Sequence, residues 1–225
     1  MTLSLAGCCG RTGMVGAIVS SSSPAVAARC ARARARVGAA CSQNITDPTL
    51  GPALLDRIAA GASAADALAA VTAATPLAAY RQLTVVDAFG RSAAFSGERT
   101  LGRHADVSAP GCAAAGNLLA DAAVPAAMAE AFAADPAADL GDRLVAALTA
   151  GRDAGGEEGP VHSAGMLVCD AVAWPVTDLR VDWTEGDPVA ELGELWARWQ
   201  PLAADYVARA LDPGSAPSYG VPGDQ

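Results

Sequence analysis

Lysine is missing from this chain altogether: all 15 of its basic residues are arginine. That absence excludes Schiff-base chemistry on a lysine amine, a Walker A phosphate loop and a lysine-assisted nucleophile. Positive charge is short as well, because 24 acidic residues leave a net charge of −9. A nucleic-acid surface, which needs a basic face, is therefore not expected. No apolar run approaches the roughly 20 residues of a membrane span, so no membrane partner is expected either. Leu5-Ala6-Gly7-Cys8 has the look of a lipoprotein cleavage box, but only four residues precede it. The basic and apolar regions that must come before such a box are absent, and the chain reads from its first residue without a leader. Its six cysteines (8, 9, 30, 41, 112 and 169) form neither a CxxC pair nor a metal-ligand spacing. They read as buried free thiols in a reducing cytoplasm, with no metal or organic cofactor expected.

What is present is an alanine-rich chain of 225 residues, 52% hydrophobic, with enough interior for a full core. Residues 1–212 read as a single domain, and the Pro/Gly/Ser stretch 213–225 as a loose tail. The chain is organised around its beginning. Thr2-Leu-Ser-Leu-Ala, a turn through Cys8 to Gly13, and Val15-Gly-Ala-Ile-Val-Ser form a hairpin pattern. A small hydroxyl residue after Met1 is what a methionine aminopeptidase can expose. Thr2 would then carry an attacking hydroxyl and an α-amino base on one residue.

After this hairpin, Pro24 to Arg36 carries arginines at 29, 32, 34 and 36. On a strand the last three would share one side, as a solvated edge or as a carboxylate-binding cleft mouth. Val37 to Gln43 reads as a small-residue strand. Asp47-Pro48 opens a helix that Gly61 ends, and Ser63-Ala-Ala-Asp66 caps a second that Thr75-Pro76 stops. Residues 83–97 make a hairpin around Asp87-Ala-Phe-Gly90, and another strand follows near Cys112 to Ala115. Helical patterns cover 121–134 and 140–150, the acid- and Gly-rich stretch 151–159 reads as a loop with Glu157-Glu158 solvated, and strands return at 163–169 and 178–183. Asp187-Pro188 caps a long last helix through Leu202. Strands and helices thus come in blocks, which predicts an α+β fold: a four-layer αββα sandwich of two mainly antiparallel sheets flanked by helices.

The chain resembles the DUF1028 family, bacterial proteins assigned to the N-terminal nucleophile (Ntn) hydrolase-like superfamily. The resemblance lies in Met1-Thr-Leu-Ser-Leu, Thr12-Gly13, Val15-Gly-Ala-Ile-Val, Pro24-Ala-Val, Ala33-Arg34-Ala35, Gln43 and Asp47-Pro48-x-x-Gly51. It continues in Val85-Val-Asp-Ala-x-Gly, Ala94-Phe-Ser-Gly97, Ala115-Gly-Asn-Leu-Leu119, His162-Ser-Ala164, Asp178-Leu-Arg-Val-Asp182 and Asp187-Pro188-x-x-Glu-Leu192. It departs from the family where Gly7-Cys8-Cys9 replaces a common Ala-Arg-Asp and where Ser21-Ser22-Ser23 replaces Ser-Arg-Phe. The similarity implies an Ntn hydrolase-like αββα fold and, with it, an amidohydrolase acting on a small amide, lactam or carbamoyl-like bond.

In that reading Thr2 is the nucleophile, and the Gln43-Asn44 corner with Asn117 supplies oxyanion donors. Ser21 relays protons or orients the amine, alongside Ser22 and Ser23. The task of the basic residue that better-known relatives use to activate the nucleophile is left to Arg34 or to nothing. Arg34, Ser22, Ser23 and His162 are the substrate-binding candidates. Each also has a plainer account as a turn, strand-end or surface residue. Two other readings stand beside the enzymatic one. The chain could be a catalytically silent Ntn-fold protein that binds a small acidic metabolite or a partner protein on its Arg29–Arg36 side. It could also be a structural subunit of a larger assembly, such as a homo-oligomer.

Overall fold

The computed structural model describes residues 2–222. Its first strand, β1 (Thr2–Cys8), pairs antiparallel with β2 (Val15–Ser21), with Leu3 opposite Ser20 and Cys8 opposite Val15. A short helix, α1 (Val26–Cys30), leads to β3 (Ala31–Arg34) and β4 (Gly38–Asn44). Helices α2 (Leu50–Ala59) and α3 (Ala64–Ala74) precede the hairpin β5 (Arg81–Asp87) and β6 (Ser92–Ser96). Then come β7 (Ala105–Ala109), β8 (Cys112–Asn117), α4 (Val124–Ala134) and α5 (Leu140–Asp153). The chain continues through β9 (Ser163–Cys169), β10 (Thr177–Val181), α6 (Pro188–Trp199) and α7 (Ala203–Leu211).

The strands assemble into two antiparallel sheets, one ordered β10-β9-β2-β1-β8-β7 and the other β3-β4-β5-β6. Three apolar clusters define the four layers. Leu3, Leu5 and Ile18 of the larger sheet pack with Phe132, Leu144, Leu148 and Leu192 of α4, α5 and α6. Leu83 and Val85 of the smaller sheet pack with Leu54, Leu55, Leu68 and Val71 of α2 and α3. Between the sheets lie Ala6, Ala17, Val19, Ala39, Cys41 and Val86. The alternation of side chains along a strand explains this division. Leu3 and Leu5 of β1 face the helices, so Ala6 and Cys8 face the second sheet, and small side chains there let the sheets approach closely.

Several local expectations change. Arg32, Arg34 and Arg36 do not all share one strand. The stretch forms α1 first, β3 carries Arg32 and ends at Arg34, and Arg36 sits in a turn with φ 62°. Helix α2 starts two residues after Pro48, because the Asp47 carboxylate accepts from the Thr49 N–H (3.0 Å) and hydroxyl (2.6 Å) and holds a turn open there. Strand β7 was not foreseen; its partly exposed Ala-Asp-Val-Ser-Ala carries too weak a strand signal on its own. Helix α5 extends three residues beyond Ala150 into the Gly-rich stretch. The last helix breaks at Pro201, which cannot donate to the turn before it, and α7 follows as a separate piece.

The caps at Ser63 and Asp187 form as expected: Ser63 accepts from the Asp66 N–H, and Asp187 from the Val189 and Ala190 N–H groups. All six cysteines are free and buried. Beyond α7 the chain folds back, and Arg209 donates to the Pro217 and Ser218 carbonyls while lying over the Tyr219 ring. Among the described residues no helix is long and apolar enough to cross a membrane.

Candidate active site

Thr2 opens β1, the strand flanked by β2 and β8 in the larger sheet, and it is buried. Strand alternation turns its side chain, like those of Ser4 and Ala6, away from the helices that Leu3 and Leu5 pack against and toward the second sheet. The Thr2 hydroxyl donates to the Ser21 hydroxyl at 3.4 Å. Ser21 Oγ lies 2.8 Å from Ser23 Oγ and also accepts from the Ser23 N–H at 3.1 Å. Arg29 of α1 closes the row by donating from its guanidinium to Ser23 Oγ and to the Pro24 carbonyl. Thr2, Ser21, Ser23 and Arg29 thus form one chain of polar contacts reaching from the first turn of β1 outward.

On the opposite side of Thr2 stands a set of buried amides. Asn117 is the register partner of Thr2 on β8, and Gln43 is the partner of Gln82 across β4 and β5. Gln43 Nε2 donates to Gln82 Oε1 (2.8 Å), to the Ala115 carbonyl (3.2 Å) and to the Thr2 carbonyl (3.5 Å). Asn117 Nδ2 donates to the same Gln82 oxygen at 3.0 Å. Gln82 Nε2 in turn donates to the Gly116 carbonyl and to Ser96 Oγ, both at 2.9 Å. The three amides therefore join the sheets at the end where Thr2 begins. Gln82 is their hub, and its place on the inner face follows from alternation with Thr84 and Val86. Two of their oxygens, Gln43 Oε1 and Asn117 Oδ1, are buried with no hydrogen-bond partner among the described residues.

The remaining candidates lie elsewhere or face elsewhere. Asn44, next to Gln43 and therefore on the other face of β4, donates to the Tyr80 carbonyl at 2.7 Å and accepts from the Leu101 N–H at 3.2 Å. With φ 72° it is a corner that fastens two loops. Arg34 pairs in register with Gly38 at the far end of β4 from Gln43, about 17 Å along the strand at the usual rise. It makes a 2.7 Å salt bridge with Asp56 of α2. The arginine that reaches the serine row is Arg29 instead. His162 donates its backbone N–H to the Ser21 carbonyl (2.9 Å), but its ring stacks on Trp183 and its Nδ1 meets the Thr184 carbonyl at 2.8 Å. Ser22 is drawn in through its N–H, which donates to Glu157 Oε2 at 3.3 Å.

Glu157 is the residue of this region that sequence reasoning placed wrongly. It is not a solvated loop carboxylate but 7% exposed, and burial pushes its carboxyl up to about 7. Nothing local signals this. The neighbouring Glu158 is exposed and lies 3.7 Å from Arg103, as an ordinary surface carboxylate would. Among the described residues no group of three His, Cys, Asp or Glu side chains is placed to hold a metal ion.

The arrangement offers a hydroxyl, a row of proton-carrying serines, an amide N–H set and a buried carboxyl around the first described residue. Comparison with known proteins agrees with the fold. A crystal structure of a protein from Silicibacter pomeroyi, itself assigned to DUF1028, superposes with a TM-score of 0.82 at 30% sequence identity, covering 91% of this chain and 94% of that one. No curated protein matches the chain. The model of the family described as "family of unknown function (DUF1028)" matches residues 2–192, which takes in every strand, α1 to α5 and the start of α6, and the chain belongs to that family.

Proposed function

We propose that the chain is an N-terminal-nucleophile amidohydrolase, with Thr2 as nucleophile after excision of Met1. The observation that carries this reading is the placement of Thr2. Its hydroxyl is held at the start of a central strand, between two sheets, with Ser21 on one side and a buried amide set on the other. Excision turns the Thr2 backbone nitrogen into an α-amine, which takes the Oγ1 proton directly or through one water. The Thr2 oxygen adds to the substrate carbonyl and the amine leaving group departs with a proton. Water then releases the acid from the Thr2 ester.

The oxyanion needs an N–H that is not already spent. Gln43 Nε2 has three oxygens around it and Asn44 Nδ2 is bonded to a carbonyl on the other face. Asn117 Nδ2 has two hydrogens and, among the described residues, one acceptor, Gln82. Asn117 is thus the side chain assigned to the oxyanion, and Gln43 and Gln82 are assigned to holding it. No metal or organic cofactor enters the scheme. The bond cleaved is that of a small amide, lactam or carbamoyl-like substrate.

The competing reading, a silent protein binding an acidic ligand on its arginine side, is weakened by the pairing of Arg34 with Asp56. The decisive experiment prepares the chain with Thr2 first, verified by intact mass, and screens small amides and cyclic amides. Thr2→Ala should remove hydrolysis while leaving the melting temperature within a degree or two, because the change is at a strand end. Hydrolysis that survives Thr2→Ala rules this nucleophile out.

A further inference from the structure

Glu157 lies between α5 and β9, outside every helix and strand, yet its position is tightly defined. Its main chain forms an isolated antiparallel bridge with Leu119, beyond the end of β8. Its Oε2 accepts from the Ser22 N–H, just past the end of β2. Strands β8 and β2 are the two neighbours of β1. A side chain anchored past one and reaching past the other crosses the end at which β1 begins, and that end is Thr2.

The second carboxyl oxygen, Oε1, is buried and has no hydrogen-bond partner among the described residues. A buried carboxyl oxygen in that condition is costly, and an ammonium is the donor that satisfies it best. A cavity of about 190 Å³ adjoins it, lined by Leu3, Ser20, Arg152 and Glu157 among others. The charged side chains nearby are turned elsewhere. Arg152 lies 2.8 Å from both Asp153 and Asp187, Glu158 pairs with Arg103, and His162 Nδ1 sits 3.9 Å from Glu185. None of these forms an ion pair with Glu157.

We propose that Glu157 is the positioning residue that receives the α-ammonium of Thr2 once Met1 is excised, and holds the amine beside the Thr2 hydroxyl. This rests on the reading of Thr2 as nucleophile and adds to it the device that makes the amine usable. The amine must be neutral to accept the Oγ1 proton. When the ammonium passes its proton to the Glu157 carboxylate, the products are a neutral amine and a neutral carboxylic acid, with no net change of charge at the site. Burial raises the Glu157 carboxyl to about 7, toward the roughly 8 of an α-amine, which narrows the gap the proton has to cross.

The absence of lysine makes the experiment clean, because the α-amine is the only primary amine in the chain. Trace acylation with acetic anhydride across pH, read by mass spectrometry on the chain that begins with Thr2, reports the neutral fraction of that amine without any substrate. Glu157→Gln keeps an oxygen for the Ser22 N–H and removes the charge. It should lower the amine pKa by about one unit, which is about tenfold faster labelling near pH 7. Glu158→Gln, on the exposed neighbour, should change nothing.

Equal amine titration in the wild-type and Glu157→Gln chains overturns the proposal. Should Glu157→Gln fail to fold, Glu157→Asp, which draws the charge back by one methylene, must shift the amine in the same direction or the proposal is equally overturned. Hydrolysis surviving in Thr2→Ala would instead reject the nucleophile while leaving the measured amine coupling as it stands.

Discussion

At the scale of single residues, Glu157 shows how burial changes chemistry that the letter alone suggests. In the unfolded chain its carboxyl titrates near 4.5, and in the folded chain near 7. Between those values the folded state keeps a proton that the unfolded state has released. Its contribution to stability is therefore complete below pH 4.5 and is lost as the pH rises through 7. Glu157→Gln removes the ionisable group but keeps the acceptor for Ser22. In the chain that retains Met1, where no Thr2 ammonium offsets the buried carboxylate, the variant should melt at nearly the wild-type temperature at pH 5 and several degrees higher at pH 8, a gain on the order of 2 kcal/mol. Thermal unfolding at the two pH values measures it, and a gain of equal size at both would show that the carboxyl is not held neutral.

Thr2, Ser21, Gln43 and Asn117 were legible as candidates because they bear oxygen or amide groups at strand ends. Gln82 and Arg29 were not. Gln82 is singled out only when the two sheets stack and its amide meets two others. Arg29 reaches Ser23 only because the short helix α1 carries it there.

At the scale of elements, the caps and hairpins follow from local chemistry while the joints between elements do not. Ser63, Asp187 and the Asp87–Gly90 turn act through neighbours a few residues away, and pattern reading finds them. The Asp87 carboxylate, fully buried, accepts from the Phe89 and Arg91 N–H groups and from the Arg91 guanidinium, which closes that turn.

Gly97, at the end of β6, is of the other kind. A Cβ there would lie 2.4 Å from the carbonyl oxygens of both Ala78 and Ala79, on the turn that leads into β5. Its N–H donates to the Arg81 carbonyl and its own carbonyl receives the Thr100 N–H, so the glycine cannot retreat. The obstacle is backbone and not a flexible side chain. Gly97→Ala should therefore cost about 2–3 kcal/mol, seen as a lower urea midpoint with an unchanged slope. It should also disturb the Tyr80 carbonyl that Asn44 holds.

At the scale of the whole molecule, the sandwich depends on how closely its two sheets approach. The interior between them is made of alanine, cysteine and valine, with Ala6, Ala17 and Ala39 all fully buried. Large side chains such as Leu5, Ile18, Leu54 and Phe132 are kept for the two sheet–helix interfaces. Ala39→Leu would force three extra carbons into the tight middle layer and should destabilise by about 2–3 kcal/mol. The same substitution spreads the sheets at one end while the Gln43–Gln82–Asn117 contacts tie them at the other. Loss of stability by chemical denaturation is the expected measurement, and a neutral result would mean that the middle layer is looser than its burial indicates.

What the sequence determined by itself was what short-range chemistry and strand alternation control. These are the block order of strands and helices, the α+β sandwich, the opening hairpin, two helix caps, and the hydroxyl and amide residues at the ends of β1, β2, β4 and β8. What only the tertiary structure decided was which of those ends meet. Sheet stacking brought Gln82 to Asn117 and Gln43 to Thr2, left Arg34 at the remote end beside Asp56, and drew Glu157 out of solvent across the start of β1. The physical reason is that burial and long-range hydrogen bonds depend on the distance between elements far apart in the chain. No local pattern of residue types encodes that distance.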